Sequence, residues 1–153
     1  MGAWGNGPFD NDDAADLLTE LAGMDAAGRA QRVQTALILP DGYLEVDSGS
    51  MAIAAAALVA AASGMPLDGP VEARELIRSG TIPSDDQIRA HARAALSRVS
   101  TGDSEWHELW AEADSLAKSK ACLLTSGFPC SRYRRAPASN QSRHERASRS
   151  RRS

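Results

Sequence analysis

The stretch Met51-Ala-Ile-Ala-Ala-Ala-Ala-Leu-Val-Ala-Ala-Ala62 decides the fold class, because it is an uninterrupted run of twelve apolar residues. A helix needs about 20 apolar residues to cross a bilayer, so this run is too short to span one. We therefore interpret it as a buried core helix whose small side chains let neighbouring helices approach closely. We predict that it runs from about Ser50 to Ser63, with Asp47 or Ser48 as N-cap and Gly64 as the stop.

Apolar residues recur at helical spacing on both sides of this core helix. The first predicted helix ends at about Gly23, with Asp10 to Asp13 as possible caps, and the second runs from Ala26 up to Pro40. The other helices predicted there cover approximately residues 70–79, 84–101 and 104–116. Pro70 suits the first position of its helix, and Ser84 with Gln87 forms a capping box at the start of the next one. Residues 43–46 alternate over too few positions for a strand, so we treat them as an extended link. The sequence therefore predicts an all-α fold, a small bundle of about five to six helices.

The composition agrees with packed helices in one domain. The chain has 153 residues, which suits a single domain. It is 42% hydrophobic but only 5% aromatic, so its core must be built mainly from Ala, Leu, Val and Ile.

Charge divides the chain into two opposed parts. Residues 1–120 contain 19 acidic and 9 basic residues, a net charge of -10, whereas residues 121–153 contain eight Arg and one acid, a net charge of +7. Because the second part has too few apolar residues to form a core, we predict a helical domain over 1–118 and a disordered tail over 119–153. A frameshifted reading of a GC-rich gene is one hypothesis for this Arg- and Ser-rich composition. The tail favours at most weak, salt-dependent binding of nucleic acid.

The location and redox state follow from features that the sequence lacks. The two cysteines, Cys122 and Cys130, both lie in the tail, which excludes a disulfide framework. The N-terminus has no basic segment followed by an apolar stretch, so we expect a cytoplasmic protein with no membrane partner. No motif indicates a cofactor, and we predict none.

The most distinctive segment is the N-terminal motif, which we define as residues 4–16. Its candidate interaction or structural residues are Trp4, Phe9, Asn11, Asp12, Asp13 and Asp16. We favour Trp4 and Phe9 as anchors of the N-terminal arm, while an interaction site that uses Trp4 stays open, since aromatic anchors are common at binding hot spots.

The carboxylates of this motif have two interpretations. Four of them, including Asp10, lie within seven residues and offer oxygen ligands of the kind that Ca²⁺ or Mg²⁺ prefers. However, the spacing of an EF-hand loop is absent. Asp10 or Asn11 as N-cap, with the other acids in the first helical turn, explains the cluster through the helix dipole. We therefore predict a helix start and no metal site, and the acids also argue against phosphate binding by the glycines ahead of them.

The same segment carries a family resemblance. The pattern Trp4-Gly5-x-Gly7-Pro8-Phe9-x-Asn11-Asp12-Asp13-Ala14-x-Asp16 resembles the start of the bacterial Domain of Unknown Function 4259 family. Tyr43-Leu44-Glu45, the Ala-rich stretch 52–62 and residues 104–110 also look like that family, so the resemblance covers about residues 1–116. It implies a small, mainly helical bacterial domain and no established reaction, cofactor or partner.

Two function classes follow from these observations. The first is a non-enzymatic protein-interaction module whose acidic body favours a basic protein partner, with an immunity-type protein against a basic toxin as one concrete form. The alternative is a metal-dependent enzyme that uses Asp12, Asp13 and Asp16 together with Glu residues of other helices.

Overall fold

A computed structural model describes residues 7–101, 103–105 and 107–108, and these contain five helices. The helices are α1 (Asp12–Ala22), α2 (Ala26–Leu37), α3 (Val46–Ala62), α4 (Val71–Arg78) and α5 (Asp86–Val99). The described part of the chain contains no strand, which confirms the predicted all-α class.

The Ala-rich helix α3 is the centre of the bundle, as its sequence predicts. Every residue from 52 to 61 is buried, and α3 packs against each of the other four helices. The larger apolar side chains around it come mainly from the neighbours and include Leu17, Leu21, Val33 and Val99, all fully buried. Small residues on α3 and larger residues on its neighbours thus fill the core together. Within the described residues, no helix combines the length and the apolar character needed to span a membrane.

The start of α3 differs from the prediction. The helix begins at Val46, four residues before the expected Ser50, and neither Asp47 nor Ser48 serves as the N-cap. The N-cap residue is Glu45, whose side chain makes no capping hydrogen bond. Instead, the Glu105 carboxylate accepts a hydrogen bond from the Val46 backbone N–H at 3.0 Å. A remote side chain therefore satisfies one of the donors that a local cap normally satisfies.

Two other helix starts also correct the prediction. Pro70 is the N-cap residue of α4 and not its first helical residue. Helix α5 is capped by Asp85, whose Oδ1 accepts from the N–H groups of Gln87 at 3.0 Å and Ile88 at 3.1 Å, so Ser84 does not form the predicted capping box. Asp85 reaches the free N–H groups of the first turn with two bonds, which satisfies more donors than a single Ser hydroxyl would.

The link before α3 is held by the segment that follows α5. Leu44 is fully buried and forms an isolated parallel bridge with Ser104. The Leu44 N–H donates to Asp103 O at 3.1 Å, and the Glu105 N–H donates to Leu44 O at 2.9 Å. The extended link predicted here is confirmed up to Glu45. The predicted helix 104–116 beyond Glu108, the domain boundary at 118 and the tail 119–153 lie outside the described residues.

Candidate functional site

The N-terminal motif folds as a tight turn that leads directly into α1. The Gly7 N–H donates to Asp10 Oδ2 at 2.8 Å, and the Asp10 N–H donates to Gly7 O at 3.2 Å. Asn11 is the N-cap of α1, since its Oδ1 accepts from the Ala14 N–H at 2.8 Å. Of the two caps that the sequence left open, Asn11 is the one used. Asp10 closes the turn before the helix instead.

Phe9 attaches this turn to the loop ahead of α4. Its side chain is only 6% exposed and belongs to the core. Gly69 lies so close that a Cβ atom placed on it would stand 2.9 Å from Phe9 Cδ2 and 3.1 Å from Cε2. Real Cβ atoms essentially never approach another atom that closely, so the site accommodates glycine alone unless the ring moves. Trp4, the other aromatic candidate of the motif, lies outside the described residues.

The acidic residues of α1 occupy positions with different exposure. Asp12 and Asp16 are exposed and stand one helical turn apart, while Asp13 is partly buried. Burial raises the pKa of Asp13 above its ordinary value, and the negative charges of Asp47, Asp12 and Asp16 raise it further, in that order. The charge of Asp47 at the start of α3 therefore acts on Asp13 in the first turn of α1.

Asp47 is a site residue that sequence reasoning assigned only as a helix cap. Its Oδ1 is inaccessible to solvent and has no hydrogen-bond partner in the described part of the chain. No spacing rule reveals its proximity to Asp13, because the two residues belong to different helices. We define the acidic face as the carboxylates around the start of α1: Asp10, Asp12, Asp13, Asp16, Asp47 and Asp68.

A cleft borders this face between the N-terminal turn and the loop before α4. It has a volume of about 460 Å³ and is lined by residues 7–10 and 68–70. Its lining residues include the apolar Pro8, Phe9 and Pro70 and the acidic Asp10 and Asp68. One lining segment precedes α1 in the sequence and the other follows α3, so local sequence patterns did not indicate the cleft.

Most arginines of the described part hold the backbone in place instead of neutralising this acidic charge. Four of the seven donate to main-chain carbonyl oxygens, and each such bond fixes a helix end or a loop. The pairs are Arg29 with Leu21 O at 2.7 Å and Ala22 O at 3.2 Å, Arg74 with Gly69 O at 2.8 Å, Arg89 with Ser84 O at 2.8 Å, and Arg98 with Gly42 O and Asp103 O. Arg32 forms an ion pair with Glu20 at 2.6 Å, and Arg89 also pairs with Asp86.

The segment after α5 holds a second pair of polar side chains. The Tyr43 hydroxyl donates to Glu108 Oε2 at 2.9 Å. This hydrogen bond is the main reason that the pKa of Tyr43 rises to about 12, with burial and the charges of Glu108 and Glu105 adding to it. The phenol therefore stays protonated at neutral pH, and the pair fastens the link 43–45 to the segment 104–108.

The placement of His, Cys, Asp and Glu side chains bears on metal binding. Among the residues that the structure describes, no group of three or more His, Cys, Asp and Glu side chains is placed to hold a metal ion. In particular, the carboxylates of the N-terminal motif do not form such a group together with acids of other described helices.

Comparison with known proteins identifies a matching family. The model of the family described as "Domain of unknown function (DUF4259)" matches residues 2–121. This range includes the N-terminal motif, all five helices and the segment that caps α3. No curated protein and no solved structure matches the chain.

Proposed function

The chain belongs to the DUF4259 family, and we propose that it is a non-enzymatic interaction module that binds a basic protein partner through its acidic face. The observation that carries this proposal is the excess of exposed acidic side chains over exposed arginines. The described residues include 17 acidic and 7 basic side chains, a net charge of -10. Thirteen of the acidic residues are exposed, but only three of the arginines are.

The hydrogen bonds made by the arginines explain why few cations offset the exposed negative charge. Guanidinium groups that donate to carbonyl oxygens are held at helix ends and loops, and most of them are partly buried. A surface of one dominant sign attracts an oppositely charged protein over a distance and speeds the encounter. Such attraction weakens as salt is added, because the screening length is only about 8 Å at physiological ionic strength.

The acidic face is the part of this surface that we assign to the partner. Burial raises the pKa of Asp13, and the neighbouring charges of Asp47, Asp12 and Asp16 raise it further. The repulsion among these like charges disfavours the folded state at neutral pH. A cationic partner relieves the repulsion on binding. An immunity-type protein bound to a basic toxin is one concrete form of this proposal.

The experiment is a binding titration of the full chain with a fluorescent oligolysine peptide at several salt concentrations. The variant Asp13→Asn/Asp16→Asn removes two charges from the acidic face. Its matched control, Glu72→Gln/Glu75→Gln, removes two exposed charges from α4. We expect salt-dependent binding that the first variant weakens clearly more than the second. Equal losses in the two variants would contradict a localised binding face.

The alternative function, a metal-dependent enzyme built on Asp12, Asp13 and Asp16, has no supporting arrangement among the described residues. Metal content of the same preparation tests it directly. A stoichiometric divalent metal together with no binding of the cationic peptide would favour the enzyme over the interaction module.

A further inference from the structure

We infer that the cleft between residues 7–10 and 68–70 receives one lysine or arginine side chain of the basic partner. This inference rests on the proposed function and deepens it, because it names the partner group that the acidic face positions. Three observations carry it: the apolar lining of the cleft, the two carboxylates in that lining, and the hydrogen bonds that fix the lining in place.

The lining suits the aliphatic part of a long cationic side chain. Pro8, Phe9 and Pro70 present apolar atoms along the cleft. Lysine and arginine bury their methylene stems against such surfaces while their charged ends stay near water or a carboxylate. A volume of about 460 Å³ is more than enough for one such side chain. A short polar side chain would leave the apolar lining uncovered.

The charge of the cleft is complementary to that side chain. Asp68 is exposed and makes no hydrogen bond or ion pair within the described part of the chain. Arg74 is the cation bound to the same loop, but its Nε and Nη2 donate to Gly69 O at 3.1 and 2.8 Å, and it forms no ion pair with Asp68. The Asp68 carboxylate thus remains available to a cation from outside.

The second carboxylate is held in a fixed orientation. Asp10 accepts from the Gly7 N–H at 2.8 Å, which fixes its side chain at the edge of the turn. Buried Phe9 anchors the turn, and Arg74 fixes the opposite loop at Gly69 O. The carboxylate of Asp10 and the backbone on both sides of the cleft are therefore held before any partner arrives. Groups positioned in advance lose less conformational freedom on binding.

The test compares oligolysine binding to the full chain and to four single variants. Asp68→Asn and Asp68→Lys change the cleft, while Asp41→Asn and Asp41→Lys make the same charge change at another exposed loop aspartate. We expect Asp68→Asn to raise the Kd about two- to fivefold, the range for one exposed ion pair. Asp68→Lys should raise it by about tenfold or more, and both Asp41 variants should have clearly smaller effects. Equal effects at the two positions would overturn the inference.

The controls separate this inference from the proposed function. If the Asp68 variants match the Asp41 variants but Asp13→Asn/Asp16→Asn still weakens binding selectively, the cleft assignment fails and the acidic face stands. If none of these variants acts selectively, both fail. Thermal unfolding checks that the exposed substitutions leave the fold intact.

Two further variants test other occupants of the cleft. If Trp4→Ala strengthens peptide binding in the parent chain but not in Asp68→Asn, the N-terminal arm of the same chain competes for the cleft. If replacement of the eight tail arginines by Gln does so, the tail competes. Either result would overturn the assignment to a partner side chain, whereas unchanged affinity in both variants supports it.

Discussion

The substitution Gly69→Ala tests how the N-terminal motif is attached to the bundle. The new Cβ atom would stand 2.9 Å from Phe9 Cδ2 and 3.1 Å from Cε2. Comfortable carbon–carbon contacts lie at about 3.5–4.0 Å, so the ring must retreat by roughly 0.5–1 Å. Phe9 is 6% exposed and packed in the core, so its retreat disturbs other contacts.

The expected cost follows from that overlap. Overpacking a buried site costs about 1–3 kcal/mol. Replacing glycine with alanine also restricts the unfolded chain and returns about 0.4–1 kcal/mol. We therefore expect the free energy of unfolding to fall by about 0–2.6 kcal/mol, measured by urea denaturation of the full chain.

A double-mutant cycle shows whether Phe9 is the cause. In a Phe9→Ala background the ring is absent, so Gly69→Ala should no longer destabilise the protein, and the coupling energy should equal the overpacking cost of about 1–3 kcal/mol. Gly23→Ala is the matched control. Its Cβ would meet Glu20 O at 3.6 Å and Thr19 O at 4.0 Å, both ordinary contacts, and φ is -80°, so we expect unchanged or slightly higher stability. A Gly69→Ala protein as stable as Gly23→Ala, or an unchanged cost without the ring, would refute the reasoning.

Three further predictions concern individual carboxylates. Glu105→Ala should lower the free energy of unfolding by about 1–2 kcal/mol, because the Val46 N–H loses its acceptor. Glu105→Gln should cost less, because its amide oxygen still accepts from that N–H. Equal costs of the two variants would count against the capping role of Glu105. Asp13→Asn should gain stability relative to the parent as pH rises from 3 to 7, since the raised pKa of Asp13 means that its ionisation disfavours the folded state. Asp85→Asn should show the opposite trend and lose stability relative to the parent over the same range. The backbone N–H groups of Ile88 and Gln87 donate to the Asp85 carboxylate and lower its pKa. Urea denaturation across this pH range checks both, and parallel pH profiles would contradict them.

The fold could be predicted from the sequence wherever the decisive interactions are local. The apolar run 51–62 and the helical spacing of its neighbours depend on residues within one helix, and a helix forms at each of these five places. The end of α2 differs, since it stops at Leu37 and not at the predicted Pro40. Asn11 also acts within four residues of its own position. Local physics is legible in a single sequence because the interacting groups are close along the chain.

The error at the start of α3 arose because a distant group decides the outcome, whereas the errors at Pro70 and Asp85 concern which of two adjacent residues is the cap. Helix α3 begins four residues early because Glu105, which belongs to a segment beyond α5, accepts from its first N–H. The sequence of residues 45–50 does not predict that contact. Tertiary contacts of this kind override local start signals.

The candidate site shows the same division. The N-terminal motif was recognised from its spacing, and the roles of Asn11 and Asp10 in the turn follow from known preferences of these residue types. The cleft was not recognised, because Asp68, Gly69 and Pro70 meet the motif only after α1, α2 and α3 have packed. The effect of Asp47 on Asp13 was not predicted for the same reason, since it depends on how α1 and α3 pack.

The most direct test of the acidic face as a binding surface is a map of backbone amide shifts by nuclear magnetic resonance. The isotopically labelled full chain would be titrated with the oligolysine peptide at low salt. We predict that the largest shift changes cluster at residues 7–17, 46–48 and 68–70, and that they vanish as salt is added. Changes spread evenly over the exposed acids, with α4 and residue 41 affected as strongly as α1, would contradict a localised binding face.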